Sequence, residues 1–160
     1  MRSRFWALEA AKAATTSQVV DFRGEDTIVI EEEQRRALEE AACAVREQAY
    51  APYSEFKVGA AIMAGSGAIF SGANVENASF GMAICAERAA IVQAISAGER
   101  AILAVAVCTE SGVTPCGACR QVIREFAADC PVYLLDVQGR SRETSLAELL
   151  PQSFGSADLE

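Results

Sequence analysis

One continuous apolar run, residues 102–107, restricts the possible folds of this chain more than any other segment. Six apolar residues in a row, without alternation, are typical of a strand buried on both faces of a sheet. A predicted helix over 117–128 follows, and then a second apolar run over 132–135. Strand, helix and strand in this order predict a right-handed parallel crossover. The chain therefore needs helices to cover its sheet.

The remaining pattern predicts one α/β domain. The predicted helices are 31–50, 84–97, 117–128 and 146–150, and the predicted strands are 56–62, 68–71, 102–107 and 132–135. Pro52 is expected to end the first helix, and Gly65-Ser66-Gly67 is expected to turn the first strand into the second. These elements predict a mixed sheet that begins with an antiparallel hairpin and carries helices on both faces.

The first thirty residues differ in character from the rest. Their early arginines and single acid before residue 20 faintly resemble an organelle transit peptide. A loosely ordered extension is the preferred interpretation, because chain termini often lack order. We expect residues 1–30 to be this extension and residues 31–160 to be the domain.

Charge and composition exclude several classes of partner. The 160 residues carry a net charge of -8, and the Lys and Arg residues are scattered rather than clustered. A nucleic-acid partner is therefore not expected, because such binding needs a basic surface. No apolar run reaches the length of a membrane span, and no apolar signal-peptide core is found near the start. The six cysteines are then best interpreted as reduced thiols in a soluble, cytoplasmic protein.

Three of the six cysteines lie at predicted helix starts. Cys116 and Cys119 are three residues apart just after Pro115, so their sulfurs share one helix face, and Cys85 begins another helix. A Cys-x-x-Cys pair alone can also be a redox pair, but that interpretation leaves Cys85 unexplained. Three ligands with one open position is the pattern of catalytic zinc. The chain has no histidine, so a zinc site would be formed by thiolates.

The other three cysteines, Cys43, Cys108 and Cys130, show no ligand spacing and are interpreted as small buried apolar residues. The alternative is that Cys108 is a fourth ligand, which would close the site and make it structural.

Two charged residues follow Cys85. Glu87 is placed to take a proton from a zinc-activated water, although an acid in the first turn of a helix can also simply favour the helix dipole. Zinc with three thiolates carries a net charge of about -1, which weakens its ability to acidify water. Arg88 can offset this by donating hydrogen bonds to the thiolates from outside the ligand shell; the alternative is a solvated surface arginine.

The segments Cys85-Ala-Glu-Arg-Ala-Ala90 and Pro115-Cys-Gly-Ala-Cys-Arg-Gln-Val122 resemble the zinc-dependent nucleoside and nucleobase deaminases, whose signature is H-x-E with P-C-x-x-C. Cysteine replaces the first histidine, as in the small homotetrameric cytidine deaminases. Residues 53–61, 72–79 and 149–155 resemble the same family in the same order, so the resemblance covers about residues 31–159. It implies a three-layer α/β/α fold with a mixed central sheet of about five strands.

The resemblance also implies roles in substrate binding. Asn74 and Glu76 correspond to the pair that binds the ribose 3′-hydroxyl, and Phe56 to an aromatic residue that lines the pyrimidine pocket. Phe154 corresponds to an aromatic residue that reaches the site of a neighbouring subunit in a homotetramer. The backbone N–H of Ala86 would face the pyrimidine carbonyl. Turn chemistry for the asparagine and ordinary packing for the phenylalanines are the alternatives.

The implied activity is hydrolytic deamination of cytidine and 2′-deoxycytidine in pyrimidine salvage, with Zn²⁺ as cofactor and Glu87 as the proton shuttle. No residue that would read the 2′-hydroxyl is identified, so both nucleosides are expected. A deaminase of a nucleoside antibiotic such as blasticidin S is the alternative, and it should lack the Asn74 and Glu76 pair. A polynucleotide editor would need a basic channel, and a non-enzymatic zinc module would have no use for Glu87. Phe80 departs from the family, in which many members have tyrosine at that position.

Overall fold

The structure is a computed structural model that describes residues 30–159. The expected loose extension therefore lies outside the described residues, apart from Ile30. The elements are α1 (Glu32–Arg46), β1 (Gly59–Ala64), β2 (Ile69–Ala73), α2 (Ala86–Ser96), β3 (Ile102–Cys108), α3 (Gly117–Phe126), β4 (Pro131–Leu135), β5 (Ser141–Ser145) and α4 (Leu146–Leu149), with 3₁₀ turns at Phe80–Met82 and Ser156–Leu159. None of the helices in this part of the chain combines the length and apolar character that crossing a membrane requires.

The five strands form one mixed sheet in the order β2-β1-β3-β4-β5. β3 and β4 are parallel and are connected through α3, whereas every other neighbouring pair is antiparallel. Ile62 lies in the middle of the sheet, between Phe70 of β2 and Val105 of β3. The prediction of a mixed sheet with an initial antiparallel hairpin is confirmed.

Alternating residues of the central strands face two separate apolar cores. Ile62 and Val105 belong to the core under α2 and α3, whereas Met63 and Ala104 belong to the core under α1. Because each face of the sheet is covered by helices, almost every residue of β1 and β3 is buried. The expected three-layer α/β/α fold is confirmed.

Two glycines allow the helices to approach the sheet closely. A Cβ atom on Gly59 would lie 2.1 Å from the carbonyl oxygen of Ala42 in α1, and a Cβ atom on Gly72 would lie 2.5 Å from the backbone nitrogen of Ala90 in α2. Both contacts are with backbone atoms, which cannot rotate away. Glycine at these positions therefore sets the distance of each helix layer from the β1–β2 hairpin.

Residues 141–145, for which the sequence pattern predicts no element, form the edge strand β5. Its residues are Ser, Arg, Glu, Thr and Ser, and three of the five are exposed. A strand at a sheet edge needs only one hydrogen-bonded neighbour and can be polar on both faces. The apolar pattern on which the strand predictions relied is therefore missing from β5.

The first helix ends at Arg46, six residues before the proline that was expected to end it. The backbone of Tyr50 instead pairs with the loop that follows β2, donating to the carbonyl of Asn74 and accepting from the N–H of Glu76. These two hydrogen bonds draw the chain out of the helical path. They also bring the predicted ribose-binding loop against the segment that carries Phe56.

Candidate active site

Two helix N-termini bring three cysteine sulfurs together, as predicted. Cys85 is the N-cap of α2, Cys116 is the N-cap of α3, and Cys119 lies in the first turn of α3. The three Sγ atoms all lie within 4.8 Å of one another, and those of Cys85 and Cys116 are 4.0 Å apart. The partial positive charge of both helix N-termini favours the thiolate forms that a metal requires.

The donor set fits zinc. Sulfur is a preferred zinc ligand, and a tetrahedral site with Zn–S bonds of 2.3 Å separates its sulfurs by about 3.8 Å, close to the spacing of Cys85 and Cys116. Within residues 30–159 no other group of three cysteine or acidic side chains is arranged to hold a metal ion. The Cys108 thiol contacts the Cys43 thiol instead. Cys108 as a fourth, closing ligand is therefore wrong, and the cluster has three protein ligands.

The thiols of this cluster share protons unequally. The hydrogen bond from the Cys119 thiol, helped by Arg88 and Cys116, lowers the pKa of Cys85 to about 5 even though burial opposes the shift. The same hydrogen bond, together with burial, raises the pKa of Cys119. Of these two thiols, Cys85 is the one that more readily becomes a thiolate.

Glu87 is a buried carboxylate in the first turn of α2, with 4% of its surface exposed. Burial raises the pKa of this carboxyl, and the nearby Cys85 thiolate adds to the shift. Most buried carboxylates are paired with a cation, because an isolated charge is costly away from water. A carboxyl held at the wall of a cavity with a raised pKa is suited to accept and release protons.

The Arg88 guanidinium lies against the cysteine cluster rather than in solvent. Its Nη2 donates to the carbonyl oxygen of Ala83 at 2.9 Å and lies 3.8 Å from the Sγ of Cys85. Its Nε is buried and has no hydrogen-bond partner among the described residues. The guanidinium therefore lies beside the Cys85 sulfur rather than in solvent, and its withdrawal of charge from the thiolates stays a prediction.

A mostly apolar cavity of about 390 Å³ opens beside the cluster. Most of the predicted site residues line it: Phe56, Asn74, Glu76, Cys85, Ala86, Glu87 and Cys116. A cavity of this size and character is typical of a site for a small organic molecule. Local motifs that are up to 60 residues apart in sequence thus meet around one cavity.

The two predicted ribose-binding side chains also hold the walls of this cavity. Asn74 donates from Nδ2 to the carbonyl of Phe56 at 2.9 Å and accepts at Oδ1 from the N–H of Val58 at 2.8 Å. Glu76 accepts from the hydroxyl and N–H of Ser54 and from the N–H of Tyr53 at 2.8 Å. These hydrogen bonds, the Ser54 hydroxyl foremost, hold the pKa of Glu76 below its usual value. Both side chains therefore fix the segment that carries Phe56.

Three predicted site residues do not line the cavity of this chain. Cys119 belongs to the adjacent cysteine cluster and Arg88 contacts that cluster, whereas Phe154 takes no part in it. Phe154 is 57% exposed at the surface. Phe80 is also exposed, and its ring meets that of Tyr53 edge-on, with 6.0 Å between centroids.

Two residues that follow the end of β3, Thr109 and Val113, line the cavity although neither is a predicted site residue. Thr109 is buried directly after this strand, and its hydroxyl accepts from the N–H of Val113, which also lines the cavity. Their position in the sequence, shortly after a predicted parallel strand, could have indicated this, because ligands in α/β folds bind outside the carboxyl ends of parallel strands.

Comparison with known proteins agrees with this geometry. Residues 32–135 match the family described as the cytidine and deoxycytidylate deaminase zinc-binding region. The chain belongs to this deaminase family. The matched region includes α2, β3 and α3, and it contains Glu87 and the three cysteines of the cluster, Cys85, Cys116 and Cys119.

Individual members of the deaminase family are similar over most of the described residues. A cytidine deaminase from Sporosarcina psychrophila is 52% identical over 117 residues, which are 71% of this chain and 86% of that protein. A cytidine deaminase from Halalkalibacterium halodurans is 48% identical over 128 residues, 78% of this chain and 97% of that protein. The crystal structure of a cytidine deaminase from Burkholderia pseudomallei superimposes with a TM-score of 0.71 at 51% identity, covering 74% of this chain and 98% of the other.

Proposed function

We propose that this protein is a zinc-dependent deaminase that hydrolyses cytidine and 2′-deoxycytidine to uridine and 2′-deoxyuridine with release of ammonia. The observation that carries the proposal is the buried Glu87 carboxyl beside three convergent cysteine sulfurs in an apolar cavity. The relatives that are about half identical are cytidine deaminases, which supports the same substrate class. The reaction belongs to pyrimidine salvage.

Cys85, Cys116 and Cys119 would hold the zinc ion, which when bound supplies an acidified water and polarises it toward attack. Glu87 would take one proton from a water whose oxygen adds to C4 of the pyrimidine, and would deliver that proton to N3. The same carboxyl would then take the second proton from the new C4 hydroxyl and pass it to the amino group, which leaves as ammonia when the C4–N bond breaks. The apolar walls limit access of bulk water, so the protons stay between Glu87 and the substrate.

The nucleoside would be oriented by groups at the other end of the cavity. Asn74 Nδ2 has a second N–H besides the one given to Phe56, and the Glu76 carboxylate has remaining acceptor capacity, so the pair can bind the ribose 3′-hydroxyl. The Phe56 ring would contact the base, and the Ala86 N–H would donate to the pyrimidine carbonyl. None of these groups is assigned to a 2′-hydroxyl, which is why both nucleosides are proposed as substrates.

We further propose a homotetramer in which Phe154 enters a neighbouring subunit's site and stacks on the base. Its exposure supports this arrangement, as does the fact that it is not among the residues that line the cavity of its own chain. Residues 31–160 would form the catalytic domain, with 1–30 as an extension. The reaction is placed in the cytoplasm, where the three ligand thiols stay reduced.

Replacing Glu87 by Gln tests the catalytic proposal. Glutamine keeps the shape of the side chain but cannot carry the proton, so kcat should fall by about 10² to 10⁴-fold. Zinc content, measured by atomic absorption, and the melting temperature should change little. A Glu87→Gln variant that keeps wild-type activity would overturn the mechanism.

A substrate panel followed by ultraviolet absorbance tests the nucleoside assignment. We expect turnover of cytidine and 2′-deoxycytidine, and little or none of cytosine, CMP or blasticidin S. Activity on CMP without activity on cytidine would contradict the proposed substrate.

A further inference from the structure

Three side chains of α3 fasten the C-terminal segment 149–155 to the domain. We call them the α3 clamp: Arg120, Gln121 and Arg124. The three hydrogen bonds are Arg120 Nη1 to the Leu149 carbonyl at 2.7 Å, Gln121 Nε2 to the Phe154 carbonyl at 3.0 Å, and Arg124 Nε to the Ser153 hydroxyl at 2.8 Å. The segment is thereby held at its start, before its turn, and again at the two residues that follow the turn.

The segment itself has little regular structure to hold its path. Between the end of α4 and the last 3₁₀ turn it makes a turn in which Gln152 has a φ of 53°, a left-handed conformation that non-glycine residues seldom adopt. Gly155 is buried against Arg124, and a Cβ atom there would lie 3.2 Å from Nη2 of the guanidinium. Contacts with α3 therefore set the course of this segment.

The clamp holds a backbone whose aromatic side chain points outward. The Phe154 carbonyl is hydrogen-bonded to Gln121, and the neighbouring Ser153 hydroxyl to Arg124, yet Phe154 as a residue is 57% exposed. A phenylalanine that only stabilised this fold would bury its ring against it. An anchored backbone with an exposed ring is the arrangement of an aromatic group presented to another surface.

We propose that the α3 clamp sets the position from which the Phe154 ring stacks on the nucleoside in a neighbouring subunit. This inference rests on the proposed function. Arg120, Gln121 and Arg124 are positioning residues, because they act through the segment and touch no reacting atom. Without these hydrogen bonds the segment would sample several conformations, and binding of substrate would have to order it. The conformational entropy lost in this ordering would weaken substrate binding. The proton transfers of Glu87 are unaffected, so KM should rise while kcat is kept.

Gln121 and Arg124 are the residues to test. Arg120 also donates to the Pro115 carbonyl at 2.8 Å and to the Thr114 hydroxyl at 2.8 Å, so it supports the loop that leads into the ligand Cys116 as well. Replacing Arg120 would therefore change both the C-terminal segment and the loop that leads into Cys116, and the two effects could not be separated. Gln121 is exposed and Arg124 is half-buried, and neither contacts the cysteine cluster through the hydrogen bonds of the described residues.

The experiment measures kcat and KM for cytidine on the zinc-loaded full chain, together with zinc content and assembly mass. The variants are Gln121→Ala, Arg124→Ala, their combination, Phe154→Ala, and all three together, with Glu125→Ala as an exposed control on the same helix. Phe154→Ala should raise KM by about tenfold, and the Gln121/Arg124 pair by about three- to tenfold. The triple variant should be no worse than Phe154→Ala, because the clamp acts only through that ring. Arg124→Lys should restore part of the loss, since its ammonium can still donate to Ser153.

Two results would overturn the role proposed for the α3 clamp. One is a triple variant whose KM is the product of the separate effects, which would mean that Gln121 and Arg124 act independently of Phe154. The other is a fall in kcat and zinc content with KM unchanged, which would mean that they support the metal site. A wild-type chain that is inactive on cytidine would instead overturn the proposed function, and the role of the clamp with it.

Discussion

Arg88 is the single residue whose contacts bear most directly on how tightly the cysteines can hold zinc. Its guanidinium lies 3.8 Å from the Cys85 sulfur and is fixed by the Ala83 carbonyl. Replacing Arg88 by Ala removes the positive charge that offsets three thiolates. We expect zinc affinity to fall by about 10- to 100-fold, measured by competition with a chelator. Arg88→Lys should give an intermediate value, and an unchanged affinity in Arg88→Ala would contradict the role.

Some residues of the candidate active site can be recognised from the sequence, and others cannot. Cys85 and Glu87 lie in one short motif and Cys116 and Cys119 in another, so each motif can be recognised from local spacing. The number of zinc ligands needed predicts that the two motifs meet, and the packing of α2 and α3 brings them together. Thr109 lacks such a motif, because it joins the cavity only through the position of β3 in the sheet. Its role depends on which strand lies beside which, and short-range spacing does not encode this.

At the scale of elements, Gly59 determines how closely α1 approaches β1. Alanine at this position would place its Cβ 2.1 Å from the Ala42 carbonyl oxygen, so the helix would have to move away from the sheet. We expect Gly59→Ala to lower the free energy of unfolding by about 3 kcal/mol, measured by urea denaturation. Gly81→Ala is the matched control, because a Cβ there meets nothing within 4 Å. Equal stability of the two variants would show that α1 is not held at this distance.

The turn between β4 and β5 is held by a buried acid, Asp136. Its carboxylate accepts from the N–H groups of Gln138 and Arg140, both at 2.9 Å, and from the Arg140 guanidinium. Burial by itself would raise the pKa of this carboxyl, but these hydrogen bonds outweigh burial and hold it below the usual 3.8. The stability that it contributes is therefore complete above the unfolded-state pKa and is lost as the pH falls through the folded-state value.

Asp136→Asn should accordingly lower the melting temperature at pH 7, and the difference from wild type should shrink as the pH falls below about 4. Thermal denaturation followed by circular dichroism at a series of pH values measures this difference. Gln138→Ala keeps the backbone donor and should follow the wild type throughout. A gap between Asp136→Asn and wild type that stays constant down to pH 3 would argue that the ionised carboxylate contributes nothing.

Apolar periodicity predicted the elements that bury one face and failed for those that do not. Four helices and four strands were located with shifts of a few residues at their ends. β5 was missed because an exposed edge strand has no apolar face. The end of α1 was misplaced because pairing of Tyr50 with the loop after β2 competes with the helix, and such a pairing is a tertiary contact.

At the scale of the whole molecule, the proposal that Phe154 enters a neighbouring subunit's site predicts complementation. Glu87→Gln subunits lack the proton carrier but keep Phe154, whereas Phe154→Ala subunits keep the proton carrier but lack the ring. When the two variants are unfolded, mixed and refolded together, some sites should receive an intact Phe154 from a neighbouring Glu87→Gln subunit. We expect these sites to show a KM close to that of the wild type, measured by steady-state kinetics on assemblies with a mass close to four chains.

The matched control for this mixture is Phe154→Ala refolded alone, which should keep its raised KM. A mixture that shows only the raised KM, with activity in proportion to its Phe154→Ala content, would mean that each chain supplies its own ring or that the ring has no part in binding. A mass of one chain for the active wild type would likewise exclude a shared site.

The sequence by itself determined the chemistry of this protein, because the zinc ligands and Glu87 lie within two short motifs whose helical spacing is a local property. It also determined the three-layer class, because unbroken apolar runs must be covered on both faces. Tertiary structure alone decided the rest. Asn74 and Glu76 hold the wall that carries Phe56, Thr109 joins the cavity, and α3 holds the segment that carries Phe154. These relations join residues that are distant in sequence, and strand order and helix packing determine which of them meet.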